Sequence, residues 1–248
     1  MAENSFKLLN IPNALTCSNL ISGCIATSFA FAGQPLWALL WIIIGAVFDF
    51  FDGMSARLLK VSSPIGKELD SLADDVTFGV APSTMIFWYL GVLEYPSFLQ
   101  PMSTLIPFLA YIMAAFSALR LAKFNLDTRQ TTSFIGLPTP ANALFWGSLI
   151  VISPSFIENN SWGWLMILIL AGISSYLLIC EMPMFALKFK QWSWKGNELK
   201  YSFAIFTLAM IVIFSIADGA KGVLEAWMPI ILVYVVLSAL KDIRMKKQ

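Results

Sequence analysis

"FDFFDGMSARLLKVSSPIGKELDSLADD", residues 48–75, decides how the rest of the chain is read. Asp49, Asp52, Asp70, Asp74 and Asp75 crowd between strongly apolar segments, in a chain that is 58% hydrophobic and only 12% charged. Set on helices, these residues fall into phase. Asp49, Asp52, Gly53, Ala56 and Arg57 stand at i, i+3, i+4, i+7 and i+8, one face of a helix. Gly66, Asp70 and Asp74 stand at i, i+4 and i+8, one face of a second. Ser63, Pro64 and Gly66 between them suit a turn. The spacing predicts a helical hairpin whose carboxylate faces oppose each other, with four carboxylates converging at a membrane boundary. Asp75 sits one residue off the Asp70–Asp74 face and is expected to support the others or to be solvated.

Close carboxylates repel, and one at a bilayer centre costs about 2.5–3.5 kcal/mol on insertion scales. A cation has to compensate. Oxygen ligands without nitrogen or sulfur suit Mg²⁺ or Mn²⁺. Two such ions bridged by shared carboxylates, about 3.5–4 Å apart, form a clamp for phosphoryl displacement. Gly53 and Ala56 leave room for a ligand to approach the backbone, and Arg57 offers a bidentate phosphate donor. The chain has no histidine, which removes Ser-His-Asp triads, His-ligated zinc and imidazole acid–base chemistry. Cys17, Cys24 and Cys180 show no CxxC spacing, and Cys17 and Cys24, seven apart, are expected to pack on one helix face. A net charge of +1 argues against a nucleic-acid partner.

Nine Trp, twenty Phe and a mean hydropathy of +0.75 point to an integral membrane protein. Eight candidate spans lie near 15–33, 36–51, 71–93, 102–122, 138–157, 162–180, 201–217 and 223–240. The expected fold is therefore an all-α, polytopic helical bundle of about eight transmembrane helices, residues 1–248 forming one membrane domain. Residues 4–12 suit a short interfacial helix ended by Pro12, and the N-terminus does not read as a signal peptide. With both termini cytoplasmic, fifteen of the sixteen Lys and Arg fall on the cytoplasmic side and Lys221 alone outside. That imbalance sets the orientation and puts the acidic stretch on the cytoplasmic face.

The run Asp49-x2-Asp52-Gly53-x2-Ala56-Arg57-x8-Gly66-x3-Asp70-x3-Asp74 also resembles the signature of the CDP-alcohol phosphatidyltransferase family at all eight defined positions. "NIPNALTCSNL", residues 10–20, is similar to that family's first-helix entry, and the catalytic region implied covers about residues 10–145. The resemblance implies that a CDP-linked lipid binds through its pyrophosphate to divalent metal and that an alcohol displaces CMP. It implies Asp49, Asp52, Asp70 and Asp74 as the ligands of two divalent ions, with Asp74 also the base. It implies contacts to the CDP-lipid from Gly53, Ala56, Arg57, Ser63 and Gly66, and to the cytidine end from Asn13 and Thr16. A homodimer through membrane helices, and a bacterial inner membrane, are further implications.

"DSLADDVTFGVAPS" (70–83), "RLAKFNL" (120–126) and "FIGLPTPANA" (134–143) resemble the phosphatidylserine synthase branch, which implies CDP-diacylglycerol as donor and L-serine as acceptor. Arg120 and Lys123 could then pair with the serine carboxylate and Asn125 could bond its amine. Asn142 is expected to hydrogen-bond across helices, Glu181 to end a helix before Pro183, and Trp192 and Trp194 with Lys188, Lys190 and Lys195 to meet lipid headgroups. Alternatives are the same chemistry on glycerol 3-phosphate or an inositol, and, in a different class, a divalent-cation transporter built on the four Asp.

Overall fold

The computed structural model describes residues 10–61, 63–129, 134–153, 155–186, 193–194 and 197–246. Most of the expected interfacial helix over 4–12, and Lys7, Lys188, Lys190, Trp192, Lys195 and Lys247, lie outside the described residues. The first helix, α1 (Ile11–Phe31), starts where Asn10 accepts a hydrogen bond from the Asn13 amide at 2.8 Å and Pro12 occupies the first turn. Its buried face is polar and small: Asn13, Thr16, Asn19, Ser22, Gly23, Ala26 and Ala30 recur at spacings of three and four. Cys17 and Cys24 lie on the exposed side instead of packing inward as expected.

Helix α2 (Pro35–Leu59) runs back along α1 and stops at Lys60, which takes a left-handed conformation. Ser63 caps α3 (Pro64–Asp74) by accepting from the Gly66 amide at 3.0 Å. The chain continues without a break through a six-residue π-helix (Asp75–Val80) into α4 (Ala81–Val92). This continuous run stands where one span was expected over 71–93. The stretch leading to the next helix is taken by two 3₁₀ turns, Ser97–Met102 and Ile106–Ala110, each holding a proline, before α5 (Tyr111–Leu126).

A two-residue antiparallel ladder follows, β1 (Phe134–Ile135) on β2 (Pro183–Met184). Between them come α6 (Thr139–Ile152), the short α7 (Ser155–Glu158) and α8 (Gly163–Ile179). The span expected over 138–157 thus ends earlier, at Ile152, where Ser153 turns left-handed. Helices α9 (Glu198–Glu225) and α10 (Trp227–Lys246) close the chain. Within α9, Asp218 and Gly219 leave helical angles, and Gly222 comes to lie against Phe214, so the chain reverses between the expected spans 201–217 and 223–240.

Helices α5, α6 and α8 share a buried polar cluster. Asn142 accepts from Ser174 and donates to Met113 Sδ at 3.3 Å, while Trp146 Nε1 donates to Ser174 at 3.0 Å. Asn142 therefore bonds across helices as expected. Large apolar side chains, among them Phe50, Phe108, Ile169, Ile205 and Ile216, cover the outside. Among the described residues, four helical stretches are long and apolar enough to cross a membrane: Ile11–Phe31, Pro35–Leu59, Ile106–Leu126 and Glu198–Glu225. The chain is an all-α membrane protein.

The loop before α6 depends on Gly136. Its φ is +77°, and a Cβ there would stand 2.5 Å from the Leu178 carbonyl oxygen. Gly136→Ala is expected to lower stability by about 1–3 kcal/mol in detergent thermal unfolding, whereas Gly91→Ala, with nothing near its Cβ position, stays within about 0.5 kcal/mol of wild type.

Candidate active site

Asp49 on α2 and Asp70 and Asp74 on α3 each present a carboxylate oxygen, and the three oxygens lie within 4.8 Å of one another. The hairpin that brings them together is open. Its two arms do not pack along their length; α3 rests on α1, as α2 does, and a cavity of about 320 Å³ separates them. Asn13 and Thr16 from α1, Asp49, Asp52, Gly53 and Ala56 from α2, and Ser63, Gly66 and Asp70 around the start of α3 line it. Arms facing each other directly would leave no such space; laying both on α1 creates it.

The small residues have distinct tasks. A Cβ on Gly53 would meet nothing within 4 Å, so that position forms open cavity wall. A Cβ on Gly66 would come to 3.1 Å from Ser63 Oγ and 3.2 Å from Asn13 Oδ1, so its absence lets the first turn of α3 close onto α1. Arg57 folds back, Nε donating to the Gly53 carbonyl at 2.9 Å, and stays exposed.

Asp52 stands apart from the other three. It is buried, and its Oδ2 accepts a 2.6 Å hydrogen bond from Thr16, whose hydroxyl also reaches the Pro12 carbonyl at 3.0 Å. Asp74 is buried and accepts from Asn19 Nδ2 at 3.0 Å. Asp75 points elsewhere: a Cβ on Gly79 would meet Asp75 Oδ1 at 2.6 Å and Ser117 Oγ at 2.7 Å.

Helix α5 packs against the π-helix and the end of α3. Arg120 is buried, its guanidinium 5.0 Å from the Phe124 ring centre and within electrostatic reach of Asp74 and Asp49. Among the described residues no carboxylate lies at ion-pair distance from it. Lys123 is occupied: it donates to Glu181 at 2.5 Å and to the Ile179 carbonyl at 3.1 Å. Glu181 also pairs with Arg129 at 3.1 Å, and its carboxyl is held below its ordinary range, chiefly by the Lys123 hydrogen bond. Glu181 thus ties the end of α8 to α5 instead of merely ending a helix. Asn125 Nδ2 donates to Ser71 at 2.7 Å, and its carbonyl accepts from Lys67 at 2.6 Å, joining α5 to α3.

Asp49 and Asp70 on the cavity wall and Asp74 next to them offer three hard oxygen donors, a set that fits a divalent cation. The sequence reading missed Asn19, Lys67 and Thr77. Asn19 was detectable in principle, because Asn13, Thr16, Asn19 and Ser22 make a polar stripe on an otherwise apolar helix. Lys67 fills an undefined position of the signature and carried no comparable signal.

The model of the family described as CDP-alcohol phosphatidyltransferase matches residues 9–174. The chain belongs to the CDP-alcohol phosphatidyltransferase family. The matched segment runs from α1 into α8, so the three-carboxylate cluster and its cavity fall wholly inside it. The chain is 40% identical over 149 residues to the CDP-diacylglycerol–serine O-phosphatidyltransferase of Bacillus subtilis (strain 168), covering 60% of this chain and 77% of that protein. It is 28% identical over 230 residues to the enzyme of the same name from Helicobacter pylori (strain ATCC 700392 / 26695), covering 90% and 88%. It is 30% identical over 252 residues to that of Mycobacterium leprae (strain TN), covering 94% and 74%. The long alignments extend the likeness beyond the catalytic segment into α9 and α10.

Two substitutions probe the site. Asp70→Asn is expected to abolish Mn²⁺ binding, measured by electron paramagnetic resonance on purified protein, with the helical circular dichroism unchanged. Gly53→Val would project into the cavity and is expected to raise the KM for a CDP-linked lipid about tenfold or more while leaving folding intact; an unchanged KM would place the donor elsewhere.

Proposed function

We propose that this protein transfers a phosphatidyl group from CDP-diacylglycerol to L-serine, releasing CMP and forming phosphatidylserine. The observation that carries the reading is a carboxylate cluster with a buried cation beside it. Asp49, Asp70 and Asp74 converge beside a cavity lined by the family signature, and a buried Arg120 without an ion pair among the described residues faces them. The serine-specific names of the relatives supply the acceptor.

The donor's nucleotide enters the cavity between α2 and α3, against Gly53, Ala56 and Gly66, with Asn13 and Thr16 toward its cytidine end. Ser63, which accepts from the Gly66 amide, faces its phosphates, and Arg57 swings from the Gly53 carbonyl to join them. Asp49, Asp52, Asp70 and Asp74 would hold two Mg²⁺ or Mn²⁺ ions, which supply Lewis-acid neutralisation of the pyrophosphate and of the departing CMP. Thr16 steadies Asp52 for that task. On the acceptor side, the Arg120 fork takes the serine carboxylate, while Lys123 and Asn125, engaged with Glu181 and Ser71, frame the site. The serine hydroxyl attacks the lipid-side phosphorus as the bond to the CMP oxygen breaks. Its proton passes to Asp74, whose Oδ1 is occupied by Asn19 and whose Oδ2 receives it.

The whole chain works as one membrane domain with about eight crossings and both termini cytoplasmic. The basic-inside pattern of Lys and Arg supports a site on the cytoplasmic side, and a bacterial inner membrane belongs to the same proposal. Soluble serine and CMP then exchange with water while the acyl chains stay in lipid. A homodimer belongs to the same proposal and rests on the family resemblance alone.

An acceptor panel tests the reading. Purified protein given CDP-diacylglycerol and either Mg²⁺ or Mn²⁺ should release CMP with L-serine and not with glycerol 3-phosphate or inositol; release with one of those and not with serine would overturn the acceptor. Arg120→Gln is expected to raise the KM for serine about 10–100-fold with the KM for CDP-diacylglycerol little changed. Asp74→Asn should bind the donor yet lose turnover by about 10²–10⁴-fold, whereas Asp75→Asn should be mild.

A further inference from the structure

Asn19 is fully buried on α1, one turn beyond Thr16, and its amide nitrogen donates to Asp74 Oδ1 at 3.0 Å. A carboxylate only accepts, so this partner selects Nδ2 and turns the Asn19 carbonyl oxygen the other way. There Oδ1 has no hydrogen-bond partner among the described residues. It lies over Gly45 of α2, where a Cβ would stand 2.9 Å away. An orphaned acceptor in a protein interior is a cost, and a leucine of similar size would fill the same space without it. Packing therefore does not explain this residue.

The surroundings are built to hold it. Thr77, in the π-helix that follows Asp74, is fully buried and donates its hydroxyl to the Asn19 backbone carbonyl at 3.0 Å. Two glycines admit Thr77 to that position. A Cβ on Gly23 would stand 2.8 Å from Thr77 Cα, and one on Gly45 would stand 2.6 Å from Thr77 Cγ2. Helices α1 and α2 and the π-helical turn thus close around one side-chain amide whose productive bond goes to Asp74.

We infer that Asn19 is a positioning residue for Asp74, clamped in turn by Thr77, so that Asp74 is held with Oδ1 on the amide and Oδ2 turned toward the cation and the attacking hydroxyl. The inference rests on the proposed role of Asp74 as ligand and base.

The test uses full-length protein in detergent with three readouts: Mn²⁺ binding by electron paramagnetic resonance without substrate, steady-state kinetics with CDP-diacylglycerol and serine, and thermal unfolding. Asn19→Leu should keep or raise the unfolding midpoint, weaken Mn²⁺ binding and lower kcat by about 10–100-fold each, and leave the KM for CDP-diacylglycerol within about twofold. A merely structural asparagine would give the reverse, a lower midpoint with unchanged Mn²⁺ affinity and kcat, and that result overturns the inference. Thr77→Val should lose about 3–10-fold in Mn²⁺ affinity and kcat, with Thr77→Ser restoring both. Should Asn19→Leu fail to fold, the Thr77 pair decides: wild-type Mn²⁺ affinity and kcat in Thr77→Val overturns the clamp. Asp74→Asn separates the two levels. If that variant retains Mn²⁺ affinity and turnover, the role of Asp74 itself falls; if it is inactive while Asn19→Leu is like wild type, only the positioning inference falls.

Discussion

Mutual repulsion among carboxylates inside an apolar bundle is the constraint on which this structure turns. Asp49, Asp70 and Asp74 bring oxygens within 4.8 Å of one another at a place where water cannot fully screen them. Such a cluster persists only if each carboxylate is held from behind and the space in front is filled by positive charge. For Asp52 and Asp74 a single helix meets the first requirement. The inward stripe of α1 donates from Thr16 to Asp52 and from Asn19 to Asp74, while Asn13 borders the cavity mouth. The second requirement is what a divalent cation would answer, with Arg120 the nearest fixed charge from α5.

That division of labour explains why α2 and α3 stay apart. A tight helical hairpin would bury the signature glycines and alanine against each other. Resting both arms on α1 keeps Gly53 and Ala56 exposed to a cavity and lets Gly66 close the base of α3 through Ser63 and Asn13. The same logic operates around α5. Lys67 and Asn125 fasten α3 to α5, and Lys123 with Glu181 and Arg129 fastens α5 to the end of α8. Lys67, Lys123 and Arg129 are committed to these bonds, whereas Arg120 makes no ion pair among the described residues.

The contrast between Asp74 and Asp75 shows how finely helix phase matters. One residue of rotation sends the first toward α1 and the cluster, the second toward Gly79 and Ser117 on α5. The π-helix beginning at Asp75 marks where the chain departs from regular α geometry immediately after the last carboxylate of the signature.

Composition determined the membrane character and residue type the turn at Ser63–Pro64, and periodicity determined the two acidic helix faces, because side-chain phase along a helix follows from residue spacing and needs no partner. It also determined that Asp75 is out of step, while the polarity of Asn142 inside an apolar segment pointed to a bond across helices. Only the tertiary structure decided that the hairpin is open, that Asp52 leans on Thr16, that Lys123 is spent on Glu181, and that Asn19 and Thr77 stand behind Asp74. These are contacts between elements far apart in the chain. Their geometry depends on how closely helices approach, which small residues such as Gly23 and Gly45 permit but whose partners no local pattern names.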